Sequence, residues 1–162
     1  MEKRLAALPG EDFFCVEPGE LLDIAYNAGR YYPTWRVRLA ASDGEGIWIR
    51  LYSAGGFGVW ALSWNRMPPG SGYLDHEGVR GAVFVARGAL AHERARLGCA
   101  PHAEEVGAGK GFSFDETFYH RMHAVRDAGP TVTVHVFASA DLQGAARGSS
   151  ARGLGLPESS GG

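Results

Sequence analysis

The sequence has little cysteine, no surplus of either charge and no long apolar run. Its only cysteines are Cys15 and Cys99, too few for a zinc cluster and consistent with free thiols in the cytoplasm. Sixteen basic and eighteen acidic residues give a net charge of −2, so we expect no nucleic-acid partner. Apolar runs such as residues 82–86 are far shorter than the ~20 residues that span a bilayer, and no apolar segment follows Met1 as in a secretion signal. We therefore expect a cytoplasmic protein without a membrane partner.

Length and composition predict one globular domain followed by a tail. A chain of 162 residues is the usual size of a single domain, and 45% hydrophobic with 21% charged residues is an ordinary soluble composition. From residue 144 onward the chain is rich in glycine, serine and alanine, which bury too little surface to offset the entropy lost on ordering. We predict a folded domain over residues 1–143 and a disordered tail over residues 144–162.

The 24 glycines, and the β-branched and aromatic runs between them, favour short strands joined by turns. Apolar residues at helical spacing after Pro18 predict one short helix over residues 20–28. Six to eight strands are expected, among them residues 47–52, 58–64, 81–87, 110–114 and 131–137. The spacing of residues 89–97 does not decide between strand and helix, and the pair Glu104 and Glu105 indicates a solvated loop. The expected fold class is mainly β, with a short helical segment near the N-terminus.

Six histidines are candidates for chemistry: His76, His92, His102, His120, His123 and His135. His92 and His102 lie among charged or loop residues, so we expect both to be solvated bystanders. The other four belong to two strand-like segments. Histidines from different strands that meet in one barrel mouth can form a metal site without a local sequence signature. A core histidine with satisfied hydrogen bonds is the alternative.

Three blocks of the sequence resemble the cysteine dioxygenase-like (thiol dioxygenase) cupins. The blocks are WIRL at residues 48–51 with VWALSW at 59–64, PPG at 68–70 with LDHEGVRGAVFVARG at 74–88, and HRM at 120–122 with Pro130 and His135 downstream. They occur in the family's order, and the resemblance extends over residues 20–140. It implies a small cupin, which is a jelly-roll β-barrel.

The resemblance also implies a single non-haem Fe(II) held by three histidines. His76 matches the second histidine of the family's H-x-H pair, and His120 matches the ligand of the second motif. Leu74 stands where the first histidine is expected, and leucine has no lone pair to offer. Because imidazole, amine and thiolate donors also suit Ni(II), the altered ligand set leaves the metal open between iron and nickel.

A neighbouring donor is needed if a third protein ligand exists. Tyr73 and His123 are the candidates for that third ligand, while Asp75 and Glu77 also lie close in sequence. Alternation along a strand argues against Asp75 and His123, since residues at odd spacing from a ligand point to the opposite face. A bulge would reverse that argument.

Three further positions have roles in the family. Arg50 matches the arginine that binds the substrate carboxylate, which suits the paired donors of a guanidinium. Its apolar neighbours indicate a buried segment, and a surface arginine on an edge strand is the alternative. His135 matches a histidine beside the metal ligands that normally hydrogen-bonds a tyrosine two residues later. That tyrosine is Phe137 here, so the phenol is missing, and a satisfied core histidine is the alternative for His135.

The resemblance implies a metal-dependent oxygenase that oxidises the sulfur of L-cysteine or a related thiol amino acid with O2. The product is either a sulfinate or, by a diverted course in a natural-product pathway, a rearranged compound such as a sulfonamide. The alternative is a metal-free cupin that binds a small carboxylate through Arg50 without catalysis. The expected partners are a small thiol amino acid and O2, and the expected state is a monomer or homodimer.

Overall fold

The computed structural model describes residues 17–31, 33, 35–36, 47–54, 57–64, 74–75, 79–115, 117 and 119–139. Within this part the chain forms helix α1 (Pro18–Arg30), a 3-10 turn (Arg126–Ala128) and nine strands. The strands are β1 (Ile47–Ala54), β2 (Phe57–Ser63), β3 (Leu74–Asp75), β4 (Val79–Arg87), β5 (Ala89–Ala95), β6 (His102–Gly107), β7 (Gly111–Phe114), β8 (Tyr119–Ala124) and β9 (Val132–Ser139). No helix among the described residues is long and apolar enough to cross a membrane.

The strands form two antiparallel sheets. The larger sheet has the order β1-β2-β9-β4-β7, and the smaller one has the order β3-β8-β5-β6. Strands β2 to β9 pass between the two sheets in the interleaved order of a jelly roll, in which the first and last strands of the set lie side by side. The prediction of a mainly β, cupin-like jelly roll with a short N-terminal helix is confirmed.

Most predicted elements are present, and two local expectations need correction. Residues 89–97, undecided between strand and helix, contribute strand β5, which pairs with β6 and β8. Glu104 and Glu105 are exposed as expected, yet they belong to strand β6 and not to a loop. Charged side chains suit β6 because it is the outermost strand of its sheet among the described residues, where charge discourages further strand pairing. The predicted tail, residues 144–162, lies outside the described residues.

Strand β9 is buried on both faces and divides the core into two clusters. Val134 and Val136 belong to the cluster that lies under helix α1. Phe137, on the alternate face, belongs to the cluster between the two sheets. Because side chains alternate along a strand, Thr133 and His135 share the inner face with Phe137.

Helix α1 begins at a capping box and packs one narrow stripe against the larger sheet. The Glu17 backbone N–H donates to the Glu20 carboxylate at 3.0 Å, while Pro at the start of the helix needs no hydrogen bond. Leu21, Ala25 and Gly29 are the buried positions, spaced four residues apart. Gly29 lies directly against the Phe84 ring of β4.

We predict that Gly29→Ala destabilises the protein by about 1–3 kcal/mol, the usual cost of overpacking. A Cβ at this position would overlap the ring of Phe84, which is itself only 6% exposed and has no open space to move into. Gly19 in the same helix has nothing within 4 Å of an added Cβ, so Gly19→Ala is the matched control and should leave stability unchanged or slightly raised. Urea unfolding of both variants makes the comparison, and equal midpoints would contradict the packing described here.

Candidate functional site

A row of cross-strand partners runs across the inner face of the larger sheet. Arg50 pairs with Trp60, Trp60 with His135, His135 with Val83, and Val83 with Phe112. Directly opposite residues of antiparallel strands point to the same side of the sheet. The row therefore carries an arginine at the β1 edge, a histidine on the central strand β9 and a phenylalanine on β7.

The inner face of the smaller sheet carries two more buried histidines opposite this row. His120 on β8 is 1% exposed and His92 on β5 is 3% exposed. The His92 ring stacks on Phe112, with 3.6 Å between ring centroids and 6° between planes. The ring centroids of His120 and Phe114 lie 4.6 Å apart. The two sheets thus meet through aromatic rings and imidazoles.

Glu104, His92 and His120 form a continuous polar chain across three neighbouring strands. The Nε2 atom of His92 lies 3.3 Å from Nδ1 of His120. On its other side, Nδ1 of His92 lies 3.4 Å from a carboxylate oxygen of Glu104. Glu104 is 39% exposed, so the chain leads from a buried imidazole to the surface of the protein.

Burial is the main influence on the pKa of His92 and lowers it, because the charged form loses its hydration. The hydrogen bond and the negative charge of Glu104 act in the opposite direction, while the positive charge of Arg94 and the neighbouring His102 reinforce the lowering. The net direction is downward, which favours a neutral His92 in the folded protein.

His135 is 2% exposed and lies in a second polar chain. Trp64 donates its indole N–H to the Thr133 hydroxyl at 2.8 Å, and the same hydroxyl lies 2.7 Å from Nε2 of His135. The Trp48 ring is 5.0 Å from the His135 ring. Phe137, which takes the position of the family's tyrosine, stacks at 5.9 Å on His135 and offers no hydroxyl. Thr133, His135 and Phe137 therefore contact one another on the inner face of β9.

Arg50 is exposed, which is the alternative that the sequence left open, while its neighbours Trp48 and Ile49 are partly buried against the core. The exposure follows from the sheet order. Among the described residues β1 is the outermost strand of the larger sheet, so it has a neighbouring strand, β2, along one edge only. The guanidinium carbon of Arg50 lies 6.0 Å from the centre of the Trp60 ring. The pairing of β1 with β2 shifts between Arg50 and Tyr52, and such a bulge re-aims side chains at the rim of a sheet.

His123 does not share a face with His120, which removes it as a candidate third ligand. Along β8, His120 and Met122 are buried whereas His123 is exposed. The strand is regularly paired with β5 over this stretch, so no bulge reverses the alternation. Among the residues that the structure describes, no group of three or more His, Cys, Asp or Glu side chains is placed to hold a metal.

The other candidates for metal binding can be placed only in part. Tyr73 and His76 lie outside the described residues, so their predicted roles stay predictions. Position 74, where leucine replaces the expected histidine, lies on β3. It is paired directly with His120 of β8. The substitution therefore affects the strand position directly beside the remaining candidate ligand.

His92 is the residue that the sequence reasoning missed. The expectation of a solvated bystander is wrong, because the His92 side chain is buried against Phe112 although the charged residues Glu93 and Arg94 follow it in sequence. The pattern Leu90, His92 at a spacing of two was the available signal, since alternate residues of a strand share one face. That signal was hidden while residues 89–97 could equally be a helix. His102, the other expected bystander, is exposed.

Comparison with known proteins adds information on the fold only. No protein-family model matches the chain, and no curated protein matches it significantly. Among solved structures, hydroxypropylphosphonic acid epoxidase from S. wedmorenis is similar at 14% identity and a TM-score of 0.49, over 57% of this chain and 50% of that one. A Co(II) form of this epoxidase, HppE, gives 13% identity and a TM-score of 0.49, over 59% and 55% of the two chains.

A candidate mannose-6-phosphate isomerase from Ralstonia eutropha is similar at 20% identity and a TM-score of 0.48, over 61% of this chain and 88% of that one. The matched region spans about half the length of the epoxidase chains. At these identities the similarities describe architecture and not activity. The resemblance to thiol dioxygenases therefore stays a hypothesis that rests on the sequence motifs.

We predict that Thr133→Val costs about 1–3 kcal/mol of stability, the penalty for leaving buried polar groups without a partner. Valine has the same shape as threonine but cannot accept from Trp64 or bond to His135. Thr133→Ser keeps the hydroxyl and is the control. Urea unfolding should find Thr133→Val less stable than Thr133→Ser, and the reverse order would show that the hydroxyl bridge contributes nothing.

We also predict that stability falls as the pH is lowered through the titration of His92. The pKa of His92 is held below its unfolded value of 6.5, so between the two values the unfolded chain binds a proton that the folded chain does not. The free energy of unfolding therefore decreases as the pH falls below about 6.5, until His92 is also protonated in the folded protein. His92→Gln should show a smaller decrease over this range than the wild type, measured by urea unfolding at each pH. His123→Gln, an exposed control, should retain the wild-type pH dependence; an unchanged slope in His92→Gln would contradict the assignment.

Proposed function

We propose that this protein is a metal-dependent oxygenase that oxidises the sulfur of L-cysteine or a related thiol amino acid with O2. The observation that carries the proposal is the burial of His120 and His135 on the facing inner surfaces of a jelly roll. These are two of the histidines that the cysteine dioxygenase-like motifs mark. A histidine inside an apolar core is costly unless it has partners or a task.

His120 is the described residue that we propose as a ligand of a divalent metal. His120 would hold it, joined by His76 if the resemblance extends to that position. Imidazole is a donor that suits Fe(II) and Ni(II). The rings of His92, Phe112 and Phe114 lie around His120, and its register partners on the neighbouring strands are Leu74 and Arg94. When bound, the metal would bring O2 and the substrate sulfur together and exchange electrons with them.

Arg50 is proposed to bind the substrate carboxylate at the rim of the site. Its exposure favours this role, because a charged carboxylate can reach the guanidinium without crossing the apolar interior. Arg50 stands in the same row as His135, two strands away, which is about 10 Å at the normal strand spacing. We propose that an amino acid whose carboxylate is held at Arg50 directs its side chain along this row, toward His135.

The interior is suited to keeping water away from an oxidised sulfur. Its partly or fully buried aromatic side chains are Trp48, Trp60, Trp64, Phe112, Phe114 and Phe137. Thr133 and His135 offer one hydrogen-bonded pair that can hold or pass a proton. Because Phe137 lacks the phenol of the family's tyrosine, the fate of the oxidised substrate can differ from simple sulfinate formation, and a rearranged product such as a sulfonamide is the second outcome that we propose.

Product analysis by mass spectrometry tests the proposed function. Metal-stripped protein is reconstituted in parallel with Fe(II) and Ni(II), and L-cysteine is supplied with O2. Addition of two oxygen atoms identifies a thiol dioxygenase, and a product with nitrogen bonded to sulfur identifies the diverted oxidase. Unchanged cysteine and related thiols with both metals, together with binding that depends on Arg50, would instead identify a metal-free module that binds small carboxylates.

We predict that Arg50→Ala lowers kcat/KM for L-cysteine about tenfold or more, the effect of losing hydrogen bonds to a charged group. Cysteamine, which lacks the carboxylate, should be turned over equally by Arg50→Ala and wild type. Arg121→Ala removes an exposed arginine that pairs with Glu93 on the smaller sheet and is the control for a general loss of positive charge. Equal losses on both substrates would contradict a carboxylate-binding role for Arg50.

A further inference from the structure

We infer that Glu104 and His92 form a proton relay that fixes the tautomer of His120, so that His120 carries its proton on Nδ1 and presents the lone pair of Nε2. The inference rests on the proposed function only in naming a metal as the group that this lone pair would bind. It assigns roles to two residues that the family motifs do not mark. Glu104 and His92 would act on the metal through His120 and are positioning residues.

The direction of the first hydrogen bond follows from the chemistry of a carboxylate. An ionised carboxylate has no proton to donate and can only accept. Since Nδ1 of His92 lies 3.4 Å from Oε1 of Glu104, the proton between them must belong to His92. The neutral ring of His92 then has its lone pair on Nε2.

The direction of the second hydrogen bond follows from the first. Nε2 of His92 and Nδ1 of His120 lie 3.3 Å apart, and one proton must lie between them for the contact to be favourable. A second proton on His92 would create a buried cation whose counter-charge is a partly exposed carboxylate, which is costly at 3% exposure. His120 therefore donates from Nδ1, and its lone pair is on Nε2.

The register of the smaller sheet keeps the relay in place. His92 is directly paired with Glu104 on β6 and with Met122 on β8, which puts His120 diagonally beside it on the same face. The stacking of His92 on Phe112 holds the ring plane. Both rings of the relay are thus fixed by strand pairing and by packing against the larger sheet.

A fixed tautomer has a particular value at this site. An orienting partner makes a ligating histidine a better donor, and its loss typically lowers metal affinity about 10- to 100-fold. On β3, the strand on the other side of β8, the register partner of His120 is Leu74 and not a histidine. With that donor replaced, the affinity for metal depends more strongly on how well His120 is oriented.

The test compares Glu104→Ala with Glu105→Ala, its neighbour on the same strand, because alanine removes the oxygen that accepts from Nδ1 of His92. Both glutamates are exposed, so neither change threatens folding, and both remove one negative charge. Imidazole ¹⁵N–¹H spectra of the metal-free protein report the tautomers. We expect Nδ1–H forms for His92 and His120 in the wild type and in Glu105→Ala, with a mixture of tautomers in Glu104→Ala.

Metal affinity is the second readout, measured by titration with Zn(II) and Ni(II). We expect about a 10- to 100-fold weaker Kd in Glu104→Ala and no change in Glu105→Ala. His92→Gln, whose amide oxygen can still accept from Nδ1 of His120, should bind metal more tightly than His92→Leu, provided that both retain cooperative unfolding. If His92 had a purely structural role, His92→Gln and His92→Leu would bind metal with equal affinity when compared under conditions in which both are equally stable.

Three results would overturn the inference. They are an Nε2–H form of His120 in the wild type, equal tautomers and affinities in the two glutamate variants, or Zn(II)-induced shifts showing that Nε2 of His92 is itself a ligand. A wild type with the expected tautomers but no metal binding would refute the proposed function and leave the relay intact. A wild type that binds metal with the wrong His120 tautomer would refute the relay alone.

Discussion

The arrangement of the site depends on the burial of strand β9 on both of its faces. Val134 and Val136 anchor the sheet under helix α1, and the alternate residues Thr133, His135 and Phe137 face the smaller sheet. A slip of one residue would place His135 under the helix and a valine in the site, exchanging every side chain between the two environments. The apolar contacts with α1 therefore keep His135 on the inner face, although none of them takes part in chemistry.

The polar groups of the interior are tolerated because two short chains of hydrogen bonds satisfy them. One links Trp64, Thr133 and His135 on the larger sheet, and the other links Glu104, His92 and His120 on the smaller sheet. Aromatic rings fill the space around both chains, which strengthens each hydrogen bond by excluding water and raises the cost of breaking it. For the proposed function, the same environment would also keep solvent away from an oxidised sulfur.

The sequence predicted the site best where local pattern determines position. The β-branched run at residues 131–137 predicted the strand that carries His135 and Phe137, and residues at a spacing of two on a strand share one face. His92 was misassigned because its charged neighbours masked a period of two that only strand pairing reveals. For Arg50 the sequence left a buried and an exposed position open, because local composition indicates whether a segment is apolar, whereas sheet order decides whether it is central or outermost. Glu104 could be connected to the site only once β6 was known to pair with β5.

The most direct test of the account is anomalous diffraction from crystals of the protein grown with Ni(II), with data collected at the nickel absorption edge. The account predicts a peak between the two sheets at bonding distance, about 2.0–2.1 Å for a typical metal–imidazole contact, from Nε2 of His120. Nδ1 of the same ring should remain hydrogen-bonded to His92. A peak bonded to Nδ1 of His120, or no peak between the sheets while nickel occupies only surface histidines such as His102 or His123, would contradict it.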